Sequence, residues 1–177
     1  MRWSAISSML MRNMKAAKSP ERDACVVVNV HIQRICKLRG LPTNACMRRW
    51  LTLAVGRFRP QASLTVRIVD GFEGAALNAR WRGKQGPTNV LSFPATGLEA
   101  VAPALLGDIV LCAPVLKAEA AAQHKTLAAH CAHLLVHGAL HLLGHDHARP
   151  RQASVMERLE TELLAEFDIP DPYAERA

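Results

Sequence analysis

The sequence predicts an α+β fold, a single domain in which about four strands form a mixed sheet with helices around it. The chain has 177 residues, half of them hydrophobic, which suits one globular domain with a substantial core. Short β-branched runs and helical segments follow one another without an internal repeat or an interdomain linker. The clearest helical pattern comes late, over residues 126–143, and we expect this helix to be central.

Four short segments rich in β-branched or alternating apolar residues predict the strands. The first is ACVVVNV, and the second, SLTVRIVD, is closed by Gly71. TNVLSF and GDIVLC follow, separated by a loop that contains proline and glycine. The predicted strands are residues 24–30, 63–70, 88–93 and 107–112.

Start and stop signals predict five helices. Leu41-Pro42-Thr43 marks the start of the first helix, and Gly56 lies near its end. The turn region from Gly83 to Pro87 ends the second, and Gly144 ends the fourth. The predicted helices are residues 45–55, 73–80, 114–125, 126–143 and 154–167.

Positive charge is concentrated in the first third of the chain. Residues 1–60 hold 12 Lys or Arg against two acids, whereas residues 61–177 hold 10 against 13. This asymmetry favours an anionic partner, of which nucleic acid is the commonest, although a basic soluble surface explains it equally well.

Residues 1–20 are predicted to be a basic, disordered leader, and residues 21–177 to be the domain. Residues 4–10 are too short and too polar for the apolar core of a secretory signal. A transit peptide fits the composition alone, and so does an upstream start codon, since Met9, Met11 and Met14 could also initiate.

Cysteine usage and hydropathy predict a cytoplasmic protein without a membrane partner. The five cysteines are an odd number without a CxxC pair, which is typical of small buried hydrophobes in a reducing compartment. The longest apolar run, around residues 134–143, contains two histidines and is shorter than the roughly 20 residues of a spanning helix.

Seven of the eight histidines lie between His124 and His147, and three of them predict a metal site. On the helix over residues 126–143, His137 and His141 are four residues apart, so their rings project from one face. Gly144 permits the left-handed turn that brings His147 back as a third ligand. Three neutral imidazoles leave one position of a tetrahedral zinc ion open, which is the catalytic pattern.

The spacing HxxxHxxGxxH is also that of the metzincin proteases, which carry a glutamate directly after the first histidine. Here that position is Gly138, which cannot accept a proton from water. The sequence therefore contains the metal ligands of such a protease but lacks its general base.

The sequence gives weaker support for the other histidines as metal ligands. His130 and His133 lie on roughly the same helical face and are expected to support the ligands or face solvent, and His124 to face solvent. His145 could compete for the metal, although the spacing favours His147. Asp146 either orients a ligating imidazole or stabilises the turn.

Several motifs in the expected order resemble one known family. HGALHLLGHDH, LNARWRGKQGPTNVLSFP and LLGDIVLC are similar to signature segments of the YbeY family of endoribonucleases, also called rRNA maturation factors. A C-terminal ME…LE…L pattern followed by DPY also fits, so the resemblance covers about residues 25–173. Two positions depart from the family pattern, where His145 and Trp81 replace tyrosines.

The resemblance implies a single-strand-specific endoribonuclease that uses one zinc ion per chain, in maturation of the 3′ end of 16S rRNA and in ribosome quality control. It implies that His137, His141 and His147 hold the metal and that Arg82 is a functional residue near it. The implied partners are single-stranded RNA, rRNA, the small ribosomal subunit and its assembly proteins.

The residues around Arg82 suit an RNA substrate. A guanidinium matches the negative charge that builds on phosphate oxygens during cleavage, although without the resemblance an ordinary loop arginine is the favoured interpretation of Arg82. Arg80 and Lys84 could extend a basic rim, and Trp81 offers either a stacking surface for an unpaired base or a core residue.

Two alternatives to an endoribonuclease stay open at this stage. A non-catalytic assembly factor could bind rRNA or ribosomal proteins and use zinc only for structure. A zinc metalloprotease is the third possibility, weakened by Gly138 and by the basic charge.

Overall fold

The computed structural model describes residues 25–98 and 100–174, which contain four strands and five helices. The predicted leader over residues 1–20 lies outside them. In chain order the elements are β1 (Val27–Arg34), α1 (Asn44–Gly56), β2 (Gln61–Val69), α2 (Gly71–Arg82), β3 (Val90–Pro94), β4 (Leu105–Cys112), α3 (Ala113–Ala122), α4 (Leu127–Leu142) and α5 (Pro150–Ala165).

The strands form one mixed sheet in the order β1-β2-β4-β3. β1 pairs with β2 and β2 with β4 in parallel, and β3 pairs with β4 in the antiparallel direction. The predicted α+β class with a four-stranded mixed sheet is confirmed.

Several strand and helix boundaries differ from the predicted ones because of strand pairing and helix capping. The first strand was expected at residues 24–30 but is Val27–Arg34, because each of its residues pairs with a partner on β2 from Gln61 to Ile68. This pairing keeps His31 and Gln33 in the strand although they are polar.

Two helices begin two or more residues earlier than predicted. α2 begins at Gly71 because the side chain of Asp70 accepts a hydrogen bond from the main-chain N–H of Glu73 (2.9 Å). α5 was expected to begin at residue 154 but begins at Pro150, whose fixed φ suits the first helical position.

The main core lies on the sheet face that α1 and α4 cover, and α5 packs on α4. The fully buried side chains there include Leu51, Ile68, Ile109 and Leu135. α4 contacts α1, α3, α5, β3 and β4, so the helix that was expected to be central is central. α2 covers part of the opposite face, where Leu77 packs against a smaller buried cluster.

The five cysteines are all free, and Cys112 and Cys131 are buried. Burial raises the pKa of the Cys131 thiol to about 12, so it stays protonated in the core. Within the described part of the chain, no helix is both long enough and apolar enough to cross a membrane.

Gly107 permits the pairing of β3 with β4. Its φ is +132°, and a Cβ at this position would overlap the carbonyl oxygen of Phe93 on the neighbouring strand. Only glycine fits this combination of backbone angle and strand approach.

We therefore expect Gly107→Ala to lower the free energy of unfolding by at least about 2 kcal/mol, measured by urea denaturation. Gly71→Ala is the matched control, because no atom lies within 4 Å of its Cβ position. This control should change stability by less than about 0.5 kcal/mol. Equal stabilities for the two variants would contradict the strand geometry described for Gly107.

Candidate metal centre

Helix α4 presents a row of histidines along one side. The Thr126 hydroxyl caps its first turn by accepting from the main-chain N–H of Ala129 (3.1 Å). From there the histidines follow at spacings of three and four residues, which places them on one face. The row is His130, His133, His137 and His141.

The chain reverses at the C-terminal end of α4 through a glycine turn. Gly144 has a φ of +89°, and its N–H donates to the His141 carbonyl (3.0 Å). The N–H of His145 donates to the Leu140 carbonyl (3.0 Å), which completes a Schellman motif. The stop predicted at Gly144 is confirmed, and the chain after it returns toward the exposed end of the histidine row.

The turn brings all three predicted ligands together. His137, His141 and His147 each offer one ring nitrogen, and these atoms lie within 4.8 Å of one another. Among residues 25–98 and 100–174, this is the one group of three or more potential ligands that could hold an ion. His147 is exposed, so the group opens to solvent on its side.

Hydrogen bonds on the far side of the His137 and His141 rings indicate which nitrogen of each is available for a metal. Nδ1 of His137 lies 2.8 Å from a carboxylate oxygen of Glu160, and Nδ1 of His141 lies 3.0 Å from the carbonyl oxygen of His145. Both partners are acceptors, so each Nδ1 carries the hydrogen and each Nε2 keeps a free lone pair.

The two Nε2 atoms face each other at 3.1 Å. Two bare acceptors repel at this distance unless a cation lies between them. Zinc–imidazole bonds of about 2.0–2.1 Å can span the gap, so the donor set fits a zinc ion.

The pKa of His141 also favours the form that binds a metal. Burial lowers it below the ordinary value of 6.5, and the neighbouring rings of His137 and His147 lower it further. A neutral imidazole is the form that binds a metal ion.

The carboxylate beside His137 was not predicted as a site residue. Glu160 is 1% exposed, and its second oxygen accepts from Nε2 of His133 (2.9 Å) and from the hydroxyl of Tyr173. Burial acts to raise the pKa of Glu160, but the three hydrogen bonds outweigh it and lower the pKa to about 2. The available signal was an acid on the apolar face of α5, four residues after buried Met156.

A second network continues along the row. Nε2 of His130, which is 3% exposed, lies 2.9 Å from the Glu119 carboxylate, and the side-chain amide of Asn89 donates to the same carboxylate at 3.0 Å. A cavity of about 340 Å³ runs past these groups and past Tyr173 to His137 and His147. His133 thus shares the Glu160 carboxylate with His137, whereas His130 contacts Glu119.

The structure resolves the alternatives in the turn. The ring of His145 packs edge-to-face on Phe58, with 5.6 Å between the centroids, and does not join the ligand group. The Asp146 carboxylate accepts from the main-chain N–H of His147 (2.8 Å), so it stabilises the turn. His124 is exposed, as expected.

Gly138 faces the sheet. A Cβ at this position would lie 3.1 Å from the Ile109 side chain and 3.1 Å from the hydroxyl of Ser92. A larger side chain would therefore point into the packed interface between α4 and the sheet, away from the ring nitrogens.

Arg82 is the last residue of α2 and is exposed. It makes no ion pair within the described ranges, and it is not part of the histidine group. Trp81 beside it is 59% exposed, so the core alternative for this residue is wrong; its ring packs edge-to-face on Phe93. Asp108 is exposed on the sheet face opposite Ile109, away from α4.

Comparisons with known proteins agree on one family. The family model described as Endoribonuclease YbeY matches residues 12–168. A protein of Xanthomonas campestris pv. campestris (strain B100), named Endoribonuclease YbeY, is 55% identical over 140 residues, which cover 76% of this chain and 86% of the relative. A relative of the same name from Xanthomonas oryzae pv. oryzae (strain MAFF 311018) is 54% identical over the same shares.

Among solved structures, the chain is similar to the solution structure of a Thermotoga maritima protein. The TM-score is 0.54 at 21% sequence identity, and the match covers 80% of this chain and 92% of the other. At this identity the likeness concerns the fold.

The geometry predicts one zinc ion per chain, held by the three histidines. His141→Ala should lower the affinity for Zn²⁺ at least about 100-fold in a calorimetric titration, since it removes one of three ligands. His145→Ala is the matched control and should bind as the wild type does, because its ring packs on Phe58 and its carbonyl oxygen is retained. Equal losses in both variants would contradict the assigned ligands.

Proposed function

The chain belongs to the endoribonuclease YbeY family, and we propose that it is a zinc-dependent, single-strand-specific enzyme that acts in maturation of the 3′ end of 16S rRNA and in ribosome quality control. The observation that carries the proposal is the convergence of three imidazole nitrogens. In the rings of His137 and His141, a hydrogen bond keeps the hydrogen on the opposite nitrogen, Nδ1. The proposed domain spans residues 21–177, preceded by the leader over residues 1–20.

In the proposed enzyme, His137, His141 and His147 would hold one zinc ion. When bound there, zinc acts as a Lewis acid toward a phosphoryl oxygen and lowers the pKa of a water molecule to about 7. The exposed side of the group, at His147, admits the RNA backbone.

Arg82 is the proposed partner of the phosphate. It ends α2 in an exposed position and makes no ion pair with another described residue, so its guanidinium is available to an anion. A bidentate pair with phosphate oxygens strengthens as negative charge builds on them.

Unpaired bases are the proposed source of strand specificity. The exposed ring of Trp81 lies beside Arg82, and the guanidinium of Arg80 stands 5.3 Å from its centroid. An aromatic face with a cation next to it binds unstacked bases, which a duplex does not offer.

The proposed partners are rRNA, the small ribosomal subunit and its assembly proteins, and the proposed compartment is the cytoplasm. The free cysteines support a reducing compartment, and the basic charge of the chain supports an RNA partner. A non-catalytic assembly factor with a structural zinc is less favoured, because structural sites use four protein ligands. A metalloprotease is less favoured, because Gly138 supplies no general base after the first histidine and its position faces the sheet.

The test incubates zinc-loaded full-length protein with a single-stranded RNA, with the same RNA annealed to its complement, and with an unstructured polypeptide. We expect cleavage of the single strand only. Arg82→Ala should lower the rate about 100- to 1,000-fold with unchanged zinc content, as loss of one charge-stabilising group does.

The control variant is Arg158→Ala, which changes an arginine whose side chain is 70% exposed on α5 and should leave the rate unchanged. Cleavage of the polypeptide without cleavage of RNA would replace the proposal by the metalloprotease. RNA binding without cleavage would replace it by the assembly factor.

A further inference from the structure

Glu160 occupies an unusual place for a carboxylate. It lies on the buried face of α5 with Met156, Leu163 and Leu164, and it is 1% exposed. A buried charge is costly unless several donors satisfy it. Here three donors converge on it from two elements, α4 and the segment after α5.

The two oxygens of this carboxylate accept hydrogen bonds from different donors. Oε1 accepts from Nδ1 of His137 (2.8 Å). Oε2 accepts from Nε2 of His133 (2.9 Å) and from the hydroxyl of Tyr173. Because both oxygens are acceptors, the carboxylate can face three donors and holds the hydrogen of His137 on Nδ1.

Tyr173 is fixed in turn by the chain around it. Its main-chain N–H donates to the Asp171 carboxylate (2.9 Å), which also accepts from the Thr161 hydroxyl (3.1 Å). The Lys125 ammonium donates to the Pro172 carbonyl (2.9 Å), which ties the segment to the region between α3 and α4. Residues 171–173 therefore form a strap that holds the tyrosine hydroxyl against Glu160.

We propose that Glu160 is a positioning residue for the metal ligand His137, and that Tyr173 orients its carboxylate for this task. The carboxylate fixes the tautomer and the ring orientation that aim Nε2 at the metal, as a carboxylate behind a ligating imidazole does. The inference rests on the proposed function only in taking His137 as a zinc ligand.

Glu160→Gln separates this role from a merely structural one. An amide has one acceptor and one donor end, and the two donors at the Oε2 position require the acceptor there. The NH₂ group then faces Nδ1 of His137 and favours the tautomer with hydrogen on Nε2. That tautomer cannot offer Nε2 to a metal without first losing the hydrogen.

The experiment uses the full-length protein with Zn²⁺ and Co²⁺ as probes. Zinc affinity is measured by competition with a chelator, Co²⁺ binding by its visible absorption, and the His137 tautomer by nitrogen NMR of the metal-free protein. Glu160→Gln should lower zinc affinity about 10- to 100-fold and move the hydrogen of His137 to Nε2. Tyr173→Phe should lower the affinity by a smaller factor in the same direction.

The matched control is Glu162→Gln, two residues along the same helix, where the side chain is 45% exposed and pairs with Arg57. It should match the wild type in metal affinity and in tautomer. Circular dichroism and thermal melting establish that each variant is folded.

A folded Glu160→Gln variant with wild-type affinity and tautomer would overturn the inference. If this variant does not fold, Tyr173→Phe decides in the same way, since an unchanged affinity and tautomer there overturns it. None of these readouts needs RNA, so failure of the proposed RNA cleavage leaves the test of Glu160 intact.

Discussion

The structure depends on a close approach of helix α4 to strands β3 and β4. At Gly138 no side chain separates them, and a Cβ there would already lie 3.1 Å from Ile109 and from Ser92. The Ser92 hydroxyl donates to the Gly138 carbonyl (3.2 Å) and joins helix to sheet. Because the helix presses this side and its leucines onto the core, its histidine row faces the neighbouring helices, where it contacts Glu119 on α3 and Glu160 on α5. The residue that leaves no general base beside the first histidine is thus also the residue that permits the packing.

The histidine row creates a second constraint, because buried and partly buried imidazoles need acceptors for their hydrogens. His137 and His133 find one in Glu160, and His130 finds one in Glu119. Both acceptors lie on other helices, α5 and α3, so the orientation of the rings is completed only when these helices pack on α4. The site is therefore a product of tertiary packing, although its ligands lie within 11 residues of sequence.

This difference explains how much the sequence could reveal. The grouping of His137, His141 and His147 was predictable because it depends on helical periodicity and one glycine turn, which are local. The Glu160–His137 contact spans 23 residues and depends on how α5 crosses α4, which no local pattern encodes. The extent of β1 was missed for a similar reason, since its later residues are in the strand through pairing with β2. Arg82 was singled out only by the family resemblance, and the structure adds its exposed position at the end of α2.

The charge of the site depends on two kinds of group: the imidazoles that face the position of an ion, and the Glu160 carboxylate on the far side of the His137 ring. The three candidate ligands are imidazoles, which bind a metal in the neutral form, and the buried carboxylate contacts the far nitrogen of one of them. The charge of a divalent ion in this position would therefore not be compensated by the imidazoles, and it would act on any group that enters the open side at His147. A phosphodiester carries a negative charge and a peptide bond does not, so neutral ligands favour the phosphodiester. A carboxylate base beside the first ligand would weaken this preference, and the packing at Gly138 leaves no space for one. The packing of α4 at Gly138 and the uncompensated charge at the open side thus both favour a phosphodiester over a peptide as substrate.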